Sequence, residues 1–538
     1  MPSPPGSEAS LQSLPLDIFT EHLLAYLSYS SVLNLSATSK SLHSNISTPL
    51  VWQAFLRHRQ YLDITQSKRL GALPLRLRVA IGSRAEIGWE NHTFKAQSLF
   101  TQRWQRKCLP RLEISSEFIV VGVGADMQIH WIQNVGMFEK VQEKQWMVYN
   151  LGTHGQQDVT EIIPVPGAPT EFIIGQAHGL IRHIDFSMED TTYTVKRVFQ
   201  HPRAIIRSLS MTKECMVALS STSSNDHQIS FYPLNKSEET ETPEESEVSP
   251  IHTESPPLHE QWISGPLATE DIVQPDFITP YPTRPWNALF LSPTVLALGS
   301  TSPDALCIYD FLPDSTHPLQ KSRQLYSHPA KLSGLTELAQ PFKTSIYAMH
   351  QYAPSLLLTG WYHGPANIHD LRLSSQYPVL AMNDPIDDGA AYSVSTDGGN
   401  RILVGGANHG LVKVFDVRMP SRGWSIYLGR ERSPIYAVKG EHSRIFAATE
   451  GTVWECDLSY RHKPRSYESG NWRSEGRSAR LWGWGSRAPG RGGTRWGRSS
   501  MEEETGGGQV RLHYGRENLY REDGSEIGKA STTGVASH

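Results

Sequence analysis

Two sets of side chains recur at fixed places in a repeating pattern and could together form a binding surface. The first is Arg207, Asn287, Tyr347, Tyr392 and Tyr436. Each is the second residue of a short apolar, large, small, apolar run: Ile206-Arg-Ser-Leu209, Trp286-Asn-Ala-Leu289, Ile346-Tyr-Ala-Met349, Ala391-Tyr-Ser-Val394 and Ile435-Tyr-Ala-Val438. The second set is His178, Asp226, Asp304, His363 and His409, each in a turn that precedes an alternating strand. Rings with a polar tip beside guanidinium and imidazole donors suit a peptide-binding mouth, because Tyr and Arg supply contact area and hydrogen bonds with few loose rotors. The plainer readings are packing between units for the tyrosines, and turn-closing hydrogen bonds for the histidines and aspartates. Arg207 and Arg432 are the basic residues nearest such a mouth, thin support for a phosphate clamp.

Other chemistry is harder to place. The histidines come from different units, without an i, i+4 pair, so metal ligation is disfavoured. No Gly-rich phosphate loop, nucleophile elbow or metal-ligand motif occurs, and neither a catalytic residue nor a cofactor is expected. Cys108, Cys215, Cys307 and Cys456 are scattered without C-x-x-C spacing, which points to a reducing compartment. With 50 Lys+Arg against 54 Asp+Glu in 538 residues, no strong field draws the chain to nucleic acid or an anionic membrane. No apolar run approaches the roughly 18 to 20 residues that span a bilayer, and the first residues lack a secretory pattern; a cytoplasmic or nuclear protein is expected.

These residues need elements to hold them. The chain exceeds the size of one hydrophobic core, and 35 Pro with 42 Gly punctuate it, so several domains or one large β-rich assembly are expected. Between 113 and 458 a unit recurs: an apolar strand, a turn containing Asp or His-Gly, then an alternating strand ending in Asp. The clearest copies end at Asp370, Asp416 and Asp457, at intervals of 46 and 41 residues. Earlier copies end at Gln133, Asp185, Pro233 and Asp310, giving seven. Ahead of them, residues 10–57 read as three short helices, Leu16 to Leu27, Ser31 to Leu42 and Pro49 to Arg57. A helical module of that size buries too little apolar surface to be comfortably stable alone, and is expected to lean on a partner.

The order Leu14-Pro15, Asp17-Ile18, Leu23, Tyr26-Leu27, Val32-Leu33-Asn34-Leu35-Ser36, Ser39-Lys40 and Leu50-Val51-Trp52 closely resembles the F-box. It departs from the family pattern at Thr38, Ser39 and Leu42, where Val, Cys and Trp are common. The resemblance implies docking to a Skp-type adaptor, and through it to a cullin, with Leu14, Pro15, Ile18, Leu23, Leu27, Leu33 and Trp52 at apolar contact or framing positions. The period and grammar of residues 112–460 resemble WD repeats, although no Trp-Asp dipeptide occurs and the Gly-His element is missing. That resemblance implies a mainly β chain, a seven-bladed WD-type β-propeller preceded by the small three-helix F-box domain. It also implies that both columns face the same side of the disc, where a protein substrate would dock. Ring closure needs a strand from elsewhere, and Leu75 to Ile81 and Val510 to Tyr514 are both candidates by alternation.

The remaining segments read as connections. Residues 58–111 are expected to be a linker. An acidic insertion at 235–285 is expected to be disordered, its Lys236–Glu260 stretch carrying eight Glu against one Lys. Residues 461–538 are expected to be mostly disordered; Arg461 to Arg498 carry ten Lys+Arg against two Glu, with Trp472, Trp482, Trp484 and Trp496. Asp370-Leu-Arg372 and Asp416-Val-Arg418 are similar to the Asp-x-Arg box by which some WD proteins bind the adaptor of another cullin ligase, or they close turns within their own units.

The expected function is non-catalytic: the substrate-recognition subunit of a Skp–cullin–F-box ubiquitin ligase, working by proximity. Alternatives are a WD-repeat scaffold, a receptor for another cullin ligase, or a propeller-based hydrolase, which needs convergent carboxylates and histidines.

Overall fold

The computed structural model describes residues 15–58, 73–99, 109–131, 146–234, 272–327 and 344–459, less a few short breaks, together with 479–485, 497–504 and 507–514. Among the described residues five helices come first: α1 (Leu16–Ile18, continuing as a π-helical turn over Phe19–Leu23), α2 (Tyr29–Thr38), α3 (Lys40–Ile46), α4 (Pro49–His58) and α5 (Leu75–Asn91). The remainder of the described chain is mainly β, in six sheets. No described helix is long and apolar enough to cross a membrane.

The amino-terminal module has one more helix than expected. The helix expected over Ser31 to Leu42 breaks at Ser39, whose extended backbone (φ −153°, ψ 155°) ends α2 while its hydroxyl accepts the Leu42 N–H at 3.1 Å and caps α3. Phe19, Leu24, Val32, Leu42, Ile46, Val51, Trp52 and Phe55 form the core of the module. Val79 of α5 belongs to the same core, so α5 completes it.

The β-rich part is built of short antiparallel meanders whose apolar residues are buried on both faces. Phe118–Val123, for example, is buried at every position, as expected of a strand covered on both sides. The meanders begin at Arg111–Ile114, Val159–Pro164, Ile205–Met211, Pro285–Ser292, Thr344–Ala353, Ala391–Thr396 and Ala437–Glu441. Each of these first strands touches the next in that order, and Ala437–Glu441 touches Arg111–Ile114 again. Glycines allow the approach. A Cβ on Gly122, Gly175, Gly299, Gly360 or Gly405 would fall within 3 Å of an atom in the following meander, against Val159, Ile206, Ile346, Val394 or Ile435 among others.

The seventh meander (Ala437–Glu441, Arg444–Ala448, Val453–Asp457) takes its fourth strand from before the first: Lys95–Ser98 pairs antiparallel with Val453–Asp457. Neither segment expected to close the β-rich part does so. Leu75 to Ile81 is helical; its apparent alternation continues into buried Val79, Ala80, Gly82, Ala85, Gly88 and Trp89, a helical spacing. Val510 to Tyr514 lies in the strand Gly507–Tyr514, which pairs with Gly497–Glu504 at the far edge of the sixth meander's sheet.

The expected linker, 58–111, therefore contains α5 and Lys95–Ser98. Part of the expected acidic insertion is structured too: Ile272–Val273 pairs parallel with Tyr193–Phe199, and Phe277–Tyr281 is the fourth strand of the third meander. Residues 235–271 lie outside the described residues. The tail expected to be mostly disordered carries the strands Ala479–Gly485, Gly497–Glu504 and Gly507–Tyr514.

One helix joins the two parts. The amino-terminal half of α5 sits in the helical core through Val79, whereas Ala85 and Trp89 lie in the core of the sixth and seventh meanders with Val412, Trp424, Val438 and Trp454. Trp89 packs on Trp424 with ring centroids 5.8 Å apart, and the Arg401 guanidinium lies 4.8 Å from the Trp89 ring. Gly88 is pressed against the Leu458 carbonyl, which a Cβ would approach to 2.2 Å. His92 ends the helix in the left-handed region (φ 53°), letting the Thr93 N–H reach the Gly88 carbonyl at 2.8 Å.

Candidate functional site

The ladder register defines the mouth. In the second through sixth meanders the first strand carries a bulge at the same place: Thr160, Arg207, Trp286, Tyr347 and Tyr392 are each skipped by the partner strand. A bulged residue leaves the ladder and re-aims its side chain, so a series of bulges lines up a row of side chains at one end of the sheets. Tyr436 occupies the corresponding place in the seventh meander, its N–H bonded to the Ala448 carbonyl at 2.9 Å.

Four of the five expected mouth residues, Arg207, Tyr347, Tyr392 and Tyr436, occupy this row. Asn287 does not: it pairs with Gly299, and Trp286 takes the bulge. Aligning Trp286 with Ile346 put the fourth unit one residue out of step, because Pro285, buried like Ile346, is the true equivalent.

The row is a continuous aromatic wall. Trp286 meets Tyr347 edge-on at 5.1 Å, Tyr347 meets Tyr392 at 5.2 Å, and Tyr392 stacks on Tyr436 at 6.2 Å with 23° between planes. Exposed Tyr362, which follows the second strand of the fifth meander, adds a ring 5.9 Å from Tyr347. Two guanidiniums close one end: Arg284 lies 4.2 Å and Arg207 5.9 Å from the Trp286 ring. Burial, followed by the like charges of Arg284 and Arg111, pulls the Arg207 pKa downward. Burial and the neighbouring phenols raise Tyr347, and burial, Glu450 and Tyr392 raise Tyr436, so both remain neutral hydroxyls at physiological pH. The Arg207 Nε and Thr160 Oγ1 atoms are buried without hydrogen-bond partners among the described residues. Arg432 lies outside the described residues.

The second column serves turns. His363 is held between Ser327 Oγ at 2.9 Å and Thr344 Oγ1 at 3.0 Å, and burial lowers its pKa. Asp304 accepts from Lys321 Nζ at 3.2 Å and from Gln324, and Asp226 accepts from Ser224 Oγ at 2.6 Å. His409 adopts φ 61°, and His178 precedes Gly179 at φ 97°. The Asp-x-Arg pairs are local as well: Arg372 grips Asp370 through Nε and Nη2 at 2.9 and 2.7 Å, and Arg418 grips Asp416 at 2.9 and 2.6 Å.

A separate charged group joins the first, second and seventh meanders. Glu161 is held above the usual carboxylate range by burial, against which Arg111 and Lys439 act, while Lys439 pairs with Glu113 at 2.6 Å. Among the described residues, no group of three or more His, Cys, Asp or Glu could hold a metal ion.

The apolar residues expected to meet an adaptor divide by exposure. Leu14 lies outside the described residues, Pro15 is exposed and Ile18 is 40% exposed. Leu23, Leu27 and Leu33 are half-buried against the module's core. Trp52 is only 4% exposed, packed between Tyr29 at 6.1 Å and Phe55 at 6.5 Å, a framing position in the module. Tyr26, 86% exposed, and Leu50, 61% exposed, add large side chains to the module's surface outside the expected adaptor-contact set. Comparison with family models and with curated proteins finds no match for this chain.

Proposed function

We propose that this chain is the substrate-recognition subunit of a Skp–cullin–F-box ubiquitin ligase. In this reading the seven meanders are blades of a WD-type propeller closed by Lys95–Ser98, the aromatic mouth holds the target protein, and the helical module docks the adaptor. The chemistry belongs to other subunits. This chain contributes effective concentration, by holding a target at a set distance from the conjugating enzyme.

The observation that carries the reading is α5. At 1.5 Å per residue its 17 residues span about 25 Å, with one end buried among Phe55 and Trp52 and the other among Trp424 and Trp454. A flexible linker would spread the target over many positions; a helix anchored in two cores holds one. Exposed Pro15 just before α1, Ile18 at its end and Tyr26 beyond it supply uncovered apolar surface for the adaptor.

The test is co-purification of a Skp-type adaptor with the full-length chain. Leu14→Ala, Pro15→Ala and Ile18→Ala combined should abolish it, since apolar interface anchors often contribute about 2 kcal/mol each. The same variant should retain its sheets by circular dichroism. Equal adaptor recovery from variant and parent, or none from either, refutes the proposal.

A further inference from the structure

The mouth carries opposite charges at its two ends. At the Trp286 end stand Arg207 and Arg284, both flanking the indole. At the Tyr436 end stands Glu450, in the turn after Arg444–Ala448, its N–H fixed by Ser433 Oγ at 2.7 Å. None of the three makes an ion pair with a described residue. Several other charges on these meanders are paired locally: Arg372 with Asp370, Arg418 with Asp416, Lys439 with Glu113, Arg444 with Glu455. Among the described residues, then, nothing neutralises Arg207, Arg284 or Glu450.

Between them the rings step by 5.1, 5.2 and 6.2 Å from Trp286 to Tyr436. The rings follow the closed series of first strands, so the two ends lie nearer than the steps laid end to end, and an extended chain rising about 3.3 Å per residue covers the wall in no more than about five residues. The near-parallel Tyr392 and Tyr436 rings offer π faces beside a carboxylate, a setting that favours a cation. Guanidiniums at the other end favour an oxyanion. A nucleic acid, uniformly anionic, would be repelled at the Glu450 end, and a net charge of −4 gives no general field to compensate.

We propose that the mouth selects a dipolar peptide: an extended segment with an oxyanion against Arg207 and Arg284, and a lysine or arginine within about five residues of it, between Tyr436 and Glu450. This rests on the reading of the mouth as the target-binding surface, and adds the charge pattern the target must carry. The oxyanion is a side-chain carboxylate or a phosphate, both of which the guanidiniums would hold.

The experiment uses the full-length chain and four fluorescently labelled, end-blocked hexapeptides. Their common spacer is Ser-Tyr-Ser-Ala, and their end residues are Asp and Lys, Asp and Asp, Lys and Lys, or Ser and Ser. Anisotropy titration at low salt should show the Asp/Lys peptide binding at least five-fold tighter than any other. Glu450→Arg should move the preference to the Asp/Asp peptide, and Arg284→Glu, at an exposed position, should move it toward Lys/Lys. The double exchange should restore the Asp/Lys preference. Replacing Asp by phosphoserine identifies the source: tighter binding marks phosphate, equal or weaker binding marks carboxylate, and either keeps the oxyanion. Four equal affinities, a preference unmoved by the exchanges, or a poly-uridine oligonucleotide outcompeting every peptide would overturn the dipolar proposal. If no peptide binds at all, the mouth is not a peptide site and the proposed target surface fails with it, while the adaptor experiment stands independently.

Discussion

Replacing Gly88 with alanine sets two effects of opposite sign against each other at the joint between the two parts of the molecule. In an exposed helix, Gly→Ala stabilises by about 1 kcal/mol, because the backbone loses less freedom on folding. Here the new Cβ would lie 2.2 Å from the Leu458 oxygen, 2.9 Å from the Thr93 oxygen and 3.0 Å from the Leu458 carbonyl carbon. All three are backbone atoms, so no side chain can rotate away, and α5 must retreat by about 1 Å to restore ordinary contact. Overpacking of this kind costs about 1–3 kcal/mol. The retreat also loosens Trp89 from Trp424 at 5.8 Å and from Arg401 at 4.8 Å, contacts contributing about 0.5–1.5 kcal/mol each. The clash wins, with a net loss of about 2 kcal/mol. Urea titration followed by tryptophan fluorescence should show a lower midpoint for Gly88→Ala than for the parent, with Glu90→Ala, exposed on the same helix, as the propensity control. In the proposed ligase, once reconstituted, adaptor binding should persist while ubiquitin transfer falls, because the two parts no longer hold one spacing. A Gly88→Ala protein more stable than the parent by about 1 kcal/mol would refute the contact and, with it, the rigid joint.

Four further outcomes follow from the same structure. Ile18→Ala should weaken the proposed adaptor binding about thirty-fold with stability unchanged, whereas Trp52→Ala, at a 4% exposed position, should cost about 3–5 kcal/mol and unfold the module; equal stability losses would contradict the division by exposure. Lys413, 2% exposed, lies 3.1 Å from Asp387 and 3.9 Å from Asp384, so Lys413→Met should lose about 3 kcal/mol by breaking the buried pair with Asp387, with an unchanged melting temperature the contrary result. Burial lowers the pKa values of His92, His201, His350 and His369 from 6.5 to about 4. The unfolded chain therefore takes up protons first; stability is complete above pH 6.5 and is lost as the pH falls towards 4, by about 1 kcal/mol per histidine at pH 5.5. Both ring nitrogens of His369 lack a hydrogen-bond partner among the described residues, so His369→Leu should reduce the drop in urea midpoint between pH 7.5 and 5.5, and an identical drop would exclude it as a contributor. Tyr347→Ala removes the ring that touches Trp286, Tyr362 and Tyr392, and should weaken the Asp/Lys peptide about ten-fold by anisotropy; undiminished binding would place the ligand elsewhere.

Burial and period are local properties, and the chain stated them openly. The repeated apolar, large, small, apolar run located the first strands of five meanders, and it placed Tyr347, Tyr392, Tyr436 and Arg207 in one row. The amphipathic start located α1, α2 and α4, because Phe19, Leu24, Val32 and Phe55 face inward at helical spacing. Other features depend on what the segment meets in three dimensions. Leu75 to Ile81 alternates as a strand would, yet it is helical because the apolar residues beyond it extend the helical face into a second core. Lys95–Ser98 has nothing in its four residues to mark it as a strand; it is one because the edge of Val453–Asp457 presents unpaired backbone groups to it. The bulge that substitutes Trp286 for Asn287 is likewise a matter of pairing with Gly299, which no residue type announces. What the residues decided alone was which side chains turn inward and how often; what only the packed molecule decided was which strand edge is satisfied by which segment. Side-chain hydrophobicity acts over a few residues, whereas hydrogen-bond pairing joins residues separated by hundreds.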